Sequence, residues 1–168
     1  MFKQKVKILA IDPGTKYMGF AMFERKKLIH RGVSVISEKS PRGKIKAGKK
    51  LILRLIEDFD PDVLVVERSF FGKSCRSSLL NVLVKKIEGI GKRYMLEVLS
   101  YAPTTVRKFI CGNGWADKKT LSQVVVAKYP ELRIFMTQDK KWKEKYHQNM
   151  FDAVALGLMA IENNFRAV

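Results

Sequence analysis

Cysteine, histidine, acidic residues and long apolar runs are all scarce in this chain. Cys75 and Cys111 are the only cysteines in 168 residues, too few for a disulfide framework or a cysteine-built zinc site. They are expected to be plain buried or half-buried side chains. His30 and His147 are the only histidines, too few for a zinc hydrolase centre. No apolar run approaches the roughly 20 residues that a membrane helix needs. The opening MFKQKVK leads into a short apolar run that soon meets Asp12, which is not a secretory pattern. The expectation is a cytoplasmic chain with no membrane partner. Neither a Walker A loop nor a GxGxxG fingerprint stands out, and no Ser/His/Asp order competes. Without an internal repeat or a long linker, residues 1–168 read as a single domain, long enough to bury a sizeable core.

The shortage of acid is the informative one. Lys and Arg total 33 against 16 acidic residues, a formal charge of +17. The basic residues run along the whole chain, so they describe a basic face and not a basic tail. Nucleic acid, or another polyanion, is the expected partner.

Where carboxylates do occur, their positions are selective. Lys5 to Phe23 reads KVKILAIDPGTKYMGFAMF. The run Val6 to Ile11 has the continuous apolar character of a central strand and ends in Asp12. Asp12-Pro13-Gly14 makes a turn. Gly14 and Gly19 permit close backbone approach or positive φ. Tyr17 to Phe23 is a second strand. Lys26 to Ser37 is a third, with Gly32 as a bulge candidate, and the short links suggest an antiparallel meander. Glu38 to Lys50 begins as a loop and runs into a helix whose stripe is Ala47, Leu51, Ile52, Leu55, Ile56 and Phe59. Asp60-Pro61 ends that helix. Asp62 to Glu67 (DVLVVE) is a second central strand, again closed by a carboxylate. A strand, helix, strand order makes it parallel to an earlier strand. Asp12 and Glu67 are then expected at the same sheet edge.

Further along, Arg68 to Ser78 (RSFFGKSCRSS) is a loop that interleaves Phe70 and Phe71 with Lys73 and Arg76. That mixture suits stacking on unpaired bases beside held phosphates. Burial of either Phe in the core is the competing reading. Ser78 to Tyr94 is a helix with apolar residues on more than one face, which suggests a partner subunit as well as its own core. A strand at Glu97 to Tyr101 and a helix from Thr105, with Val106, Phe109 and Ile110 inward, come next. Asp117 is placed to cap a helix from Lys118 to Tyr129. Lys118 either faces a phosphate near the carboxylates or is a solvated helix-start lysine. Pro130 to Lys145 reads as a polar surface loop. The last helix is expected from about Gln148 to Asn164, with Asn149 and Asp152 on one face near its start. There the helix dipole is one reason for an acid. The other is that small Ala153 and Ala155 let the helix lie close to the sheet and carry Asp152 towards Asp12.

Asp12, Glu67 and Asp152, once together, would repel one another. Hard divalent cations that prefer oxygen, Mg²⁺ above all, relieve that repulsion. Two such ions roughly 3.5–4 Å apart activate a water and stabilise the leaving oxygen of a phosphodiester. With the basic surface, the economical reading is metal-dependent hydrolysis of nucleic acid.

These residues resemble the RuvC family of Holliday junction resolvases. The resemblance rests on IDPGT at Ile11–Thr15, VVERSFFGKS at Val65–Ser74, VRKFICGNGWADK at Val106–Lys118 and NMFDAVALGL at Asn149–Leu158, in matching order and spacing. It implies an α/β, RNase H-like mixed five-stranded sheet flanked by helices. It implies a homodimer that binds four-way or branched DNA, with Mg²⁺ as cofactor, Mn²⁺ able to substitute, and two ions per site. By resemblance the metal-binding acids are Asp12, Glu67 and Asp152, and the family's fourth acid falls on Asn149, an amide here. Arg107 and Lys118 correspond to basic residues near the scissile phosphate and Phe70 to the aromatic that probes the junction. Phe71, Lys73, Arg76 and Lys119 complete the expected DNA contacts, and the helix from about Ser77 the subunit contact. Asn149 is either a natural variant, with His147 or Asp139 helping, or an inactivating change. The alternatives are therefore a weakened or inactive branched-DNA binder and an RNA-processing nuclease of the same fold. A helicase partner is not specified by these residues.

Overall fold

Alternation along two neighbouring strands sets the architecture. In β1 (Lys7–Asp12) and β4 (Val63–Glu67), Ile8, Ala10, Val63 and Val65 enter one core while Leu9, Ile11, Leu64 and Val66 enter another. Strands buried on both faces need a near-continuous apolar sequence, and that is what both possess. The structure is a computed structural model that describes residues 6–68, 75–136 and 141–164, with the side chains of 75–77, 141–144 and 164 outside that description.

β1 and β4 are joined by β2 (Tyr17–Glu24), β3 (Lys27–Val35) and β5 (Glu97–Tyr101) in one five-stranded sheet of order β3-β2-β1-β4-β5. β1, β2 and β3 form the expected antiparallel meander, whereas β4 lies parallel to β1 and β5 parallel to β4. The first core is closed by α3 (Pro103–Cys111), α4 (Lys118–Lys128) and α5 (Lys141–Asn164). On the opposite face α1 (Pro41–Phe59) and α2 (Cys75–Arg93) close the second. No helix among the described residues is long and apolar enough to cross a membrane.

Several boundaries differ from the sequence reading, each for a local reason. The register shift in the β2–β3 pair falls between Met22 and Phe23, opposite Ile29, and not at Gly32. Gly32 pairs regularly with Phe20 and leaves room for that residue's ring. α1 starts at Pro41, because Ser40 Oγ accepts a hydrogen bond from the Gly43 N–H at 3.0 Å and proline suits the first helical turn. Its end is as expected, with Asp60 turning left-handed at φ 47°. α3 begins at Pro103, two residues before Thr105. α2 buries Leu83, Val84, Ile87 and Ile90 on one side and leaves Val82 exposed.

The largest difference lies before the last helix. Pro130–Phe135 is a 3₁₀ helix with Leu132 fully buried, and α5 already runs from Lys141. The Lys- and Glu-rich segment has good helix propensity but no apolar stripe, so periodicity hides it. Asp152 is therefore about three turns inside the helix at roughly 3.6 residues per turn. The dipole explanation for its charge fails, since that field acts within the first turn.

α5 crosses the sheet at two glycines. A Cβ on Gly19 would run into the backbone carbonyl of Asn149, and one on Gly157 into the Phe23 ring. Both glycines serve close approach, and neither needs positive φ. Gly19→Ala should force α5 off β2, because the obstacle is backbone, and cost about 1–3 kcal/mol as overpacking. Denaturant unfolding measures this, and an unchanged midpoint would mean that α5 can rise without loss.

Candidate active site

Asp12 is the last residue of β1 and Glu67 the last of β4. The parallel register places Ile11 beside Val66, so one step on brings the two acids alongside at the same strand end. Strand parity sends both towards the α5 side, with Ala10 and Val65 before them. Asp12 pairs across the sheet with Gly19, the residue that Asn149 backbone packs against. That contact lowers α5 onto the strand, and Asp152 follows Asn149 by one turn. Gln148 Nε2 donates to Asp152 Oδ1 at 3.0 Å and holds that carboxylate.

The electrostatics tie these residues together. Burial pushes the Asp12 carboxyl well above the usual carboxylate range, and the charges of Glu67 and Asp152 push it further. Lys118 and Arg107 act against that rise. Burial, then Asp152, pushes Glu67 up to about 8, with Arg107 opposing. Asp152 is raised by burial, against the Gln148 hydrogen bond and the charges of Arg107 and Lys118. Arg107 on α3 and Lys118 at the start of α4 thus both act on Asp12 and Asp152. Asp117 caps α4 as expected, its Oδ1 accepting from the Thr120 N–H at 2.7 Å.

One hollow opens onto Asp12 and Glu67, and a second lies beside Lys118 and Gln148. The first, of about 250 Å³, is lined by Asp12, Glu67, Arg107 and the α2 residues Leu80 and Val84. The second, of about 520 Å³, is lined by Lys118, Lys119, Lys145, His147 and Gln148, among others. A buried Asp12 with half-buried Glu67 and Asp152, none in a close ion pair to Lys or Arg among the described residues, suits a cation, and their hard oxygens suit one like Mg²⁺. The set is not a closed cage: among the described residues no group of three or more His, Cys, Asp or Glu side chains is disposed to hold a metal.

The remaining expected residues divide. Asn149 Nδ2 donates to the Lys145 carbonyl at 3.0 Å, which leaves its Oδ1 as a neutral acceptor. His147 packs against the rings of Phe135 and Tyr146, at 4.9 and 5.0 Å between centroids. Among the described residues it belongs to no group of three or more side chains disposed to hold a metal. Lys119 is exposed beside Lys118. Phe70, Phe71, Lys73 and Asp139 lie outside the described residues, as do the side chains of Arg76 and Cys75. Cys111 is half-buried, and burial raises its thiol. Gln148 is the site residue that sequence reasoning missed. Its i, i+4 spacing to Asp152 was the available signal, once α5 is known to begin well before it.

The raised carboxyls make metal-free stability depend on pH. Folding favours their neutral forms, so the folded state holds more protons than the unfolded chain between the ordinary carboxylate range and about 8. Stability should therefore fall as pH rises through that window in EDTA. Thermal unfolding of wild type and Glu67→Gln should show the smaller pH slope in the variant. Equal slopes would remove Glu67 from the effect.

The family model "Crossover junction endodeoxyribonuclease RuvC" matches residues 8–159. The RuvC protein of Chloroflexus aggregans is 32% identical over 129 residues, covering 71% of this chain and 77% of the relative. That of Bacteroides fragilis is 30% identical over 132 residues, covering 73% and 68%. Among solved structures, Thermus thermophilus RuvC superposes with a TM-score of 0.73 at 18% identity, over 95% of this chain and 96% of that one. The same protein in complex with Holliday junction substrate gives 0.73 at 17% identity, over 96% of each. The yeast mitochondrial Holliday junction resolvase gives 0.64 at 14%, over 96% and 82%. The fold is the expected α/β, RNase H-like mixed sheet, and with the match running across nearly the whole described sheet and its helices, this chain belongs to the crossover junction endodeoxyribonuclease RuvC family.

Proposed function

We propose that this chain is a structure-selective endodeoxyribonuclease, a single RNase H-like nuclease domain over residues 1–168. As a homodimer it resolves four-way or otherwise branched DNA by paired, metal-dependent hydrolysis of phosphodiesters. The observation that carries the reading is the placement of Asp12 and Glu67 side by side at one strand end, in a hollow that Arg107 also lines, with Asp152 and Lys118 acting on Asp12. Membership of the RuvC family and the fold shared with a junction-bound relative support the substrate class.

Asp12, Glu67 and Asp152 would hold Mg²⁺, or Mn²⁺ in its place, with Asn149 Oδ1 as a neutral further donor. Two such ions, when bound, supply the activation of water and the stabilisation of the leaving oxygen. The chain's own groups do the rest. Gln148 fixes the orientation of Asp152 through its hydrogen bond. Arg107 and Lys118 lower the cost of gathering three carboxylates and offer positive charge to a phosphate. Phe70 is proposed to probe the junction, with Phe71, Lys73, Arg76 and Lys119 as further DNA contacts. A two-fold dimer presents two such sites, which suits symmetric nicks.

Asn149 favours a second reading, a weakened branched-DNA binder. An amide in place of a carboxylate removes one negative charge, and this one is tied to the Lys145 carbonyl.

The test is cleavage of a synthetic four-way junction beside a linear duplex of the same sequence, with Mg²⁺, with Mn²⁺ and with EDTA. Asp12→Asn should lower junction cleavage by more than about 100-fold while junction binding persists. Loss of binding together with cleavage would count against a metal-holding role for Asp12. Asn149→Asp separates the two readings: a large gain in rate supports the weakened binder, and an unchanged rate supports an active natural site.

A further inference from the structure

Trp115 is 86% exposed, on the turn between α3 and α4. Single exposed apolar residues are common on proteins. This one differs in how firmly it is held and in what surrounds it. Gly112 leaves α3 at φ 76°, and its N–H donates to the Lys108 carbonyl at 2.9 Å. The Trp115 N–H donates to Asn113 Oδ1 at 3.0 Å, and the Ala116 N–H to the Asn113 carbonyl at 3.1 Å. Gly114 lacks a side chain where the Thr104 carbonyl comes close, and Ala116 and the Asp117 cap close the turn onto α4. A large indole is thus kept in water by an ordered backbone, against the usual tendency of tryptophan to bury most of its surface.

Along the chain on either side of it the charges are almost all of one sign. Arg107 and Lys108 precede the turn, and Lys118 and Lys119 follow it, all but Arg107 exposed. The single acid, Asp117, is engaged as the α4 cap. A flat apolar ring among cations matches a polyanion that also carries flat apolar faces, and a nucleic acid with an unstacked base is that chemistry. Bases inside a continuous duplex are already stacked on their neighbours. A branch point is where one becomes available. The turn joins α3, whose Arg107 lines the hollow shared by Asp12 and Glu67, to α4, which begins at Lys118.

We infer that Trp115 is a second stacking residue, which holds an unstacked base of the branched DNA beside the phosphate to be cut. This inference rests on the proposed function. Its contact is separate from the one proposed for Phe70, which precedes Trp115 in the sequence by 45 positions.

The test has two arms, both in EDTA with full-length protein. In the first, junction and duplex affinities are measured for wild type, Trp115→Ala and Trp115→Phe. Trp115→Ala should weaken junction binding about tenfold with little change on duplex, and Trp115→Phe should recover most of it. In the second, Trp142→Phe leaves Trp115 as the one tryptophan, and its emission should be quenched by junction more than by duplex. Normal junction affinity for Trp115→Ala with unmoved emission overturns the inference and leaves the functional proposal standing. Emission that shifts with protein concentration in the absence of DNA assigns Trp115 to a protein contact and also overturns it. Wild-type protein that prefers linear duplex over the junction overturns both.

Discussion

α5 lies on β2 at the point where Gly19 has no side chain, and the backbone of Asn149 takes the space a Cβ would need. Gly19 is also the strand partner of Asp12. One contact therefore sets both the height of the helix over the sheet and the position of Asp152 relative to the acid of the central strand. Gly157 repeats the arrangement farther along, against Phe23. Close packing of this kind has little slack, since interiors are as dense as organic crystals. The fully buried Ala153, Val154, Ala155 and Leu156 continue it on the same helix.

That packing brings like charges together, and the rest of the site moderates the consequence. Burial and mutual repulsion favour the protonated acids, while Arg107 and Lys118 favour the ionised ones. A divalent cation would take the balance fully to the ionised side. The cations that help are on α3 and α4, outside the sheet, where the surplus of basic residues also serves a polyanionic partner. One set of charges thus contributes to both the site and the surface around it.

The strand ends were legible because two features coincide there: an apolar run long enough for a buried strand, then an acid. Asp60-Pro61 and Asp117 were legible as a stop and a cap because their chemistry is local. The start of α5 was not, since Lys141 to Lys145 has helix propensity without an apolar face. Placing that start too late led to the dipole reading of Asp152 and concealed Gln148 as its partner. Gly32 looked like a bulge, but the shift falls opposite Ile29, where pairing with the neighbouring strand decides it.

Local chemistry by itself determined the strands, the stop at Asp60-Pro61, the Asp117 cap and the basic character, because period, caps and charge are written within a few residues of each other. Tertiary structure alone decided that Asn149 backbone meets Gly19, that Gln148 holds Asp152, that His147 turns to Phe135 and Tyr146, and that Trp115 stays in water. Each of these depends on which surface a helix or turn meets after the chain has folded back on itself, and no local pattern carries that distance.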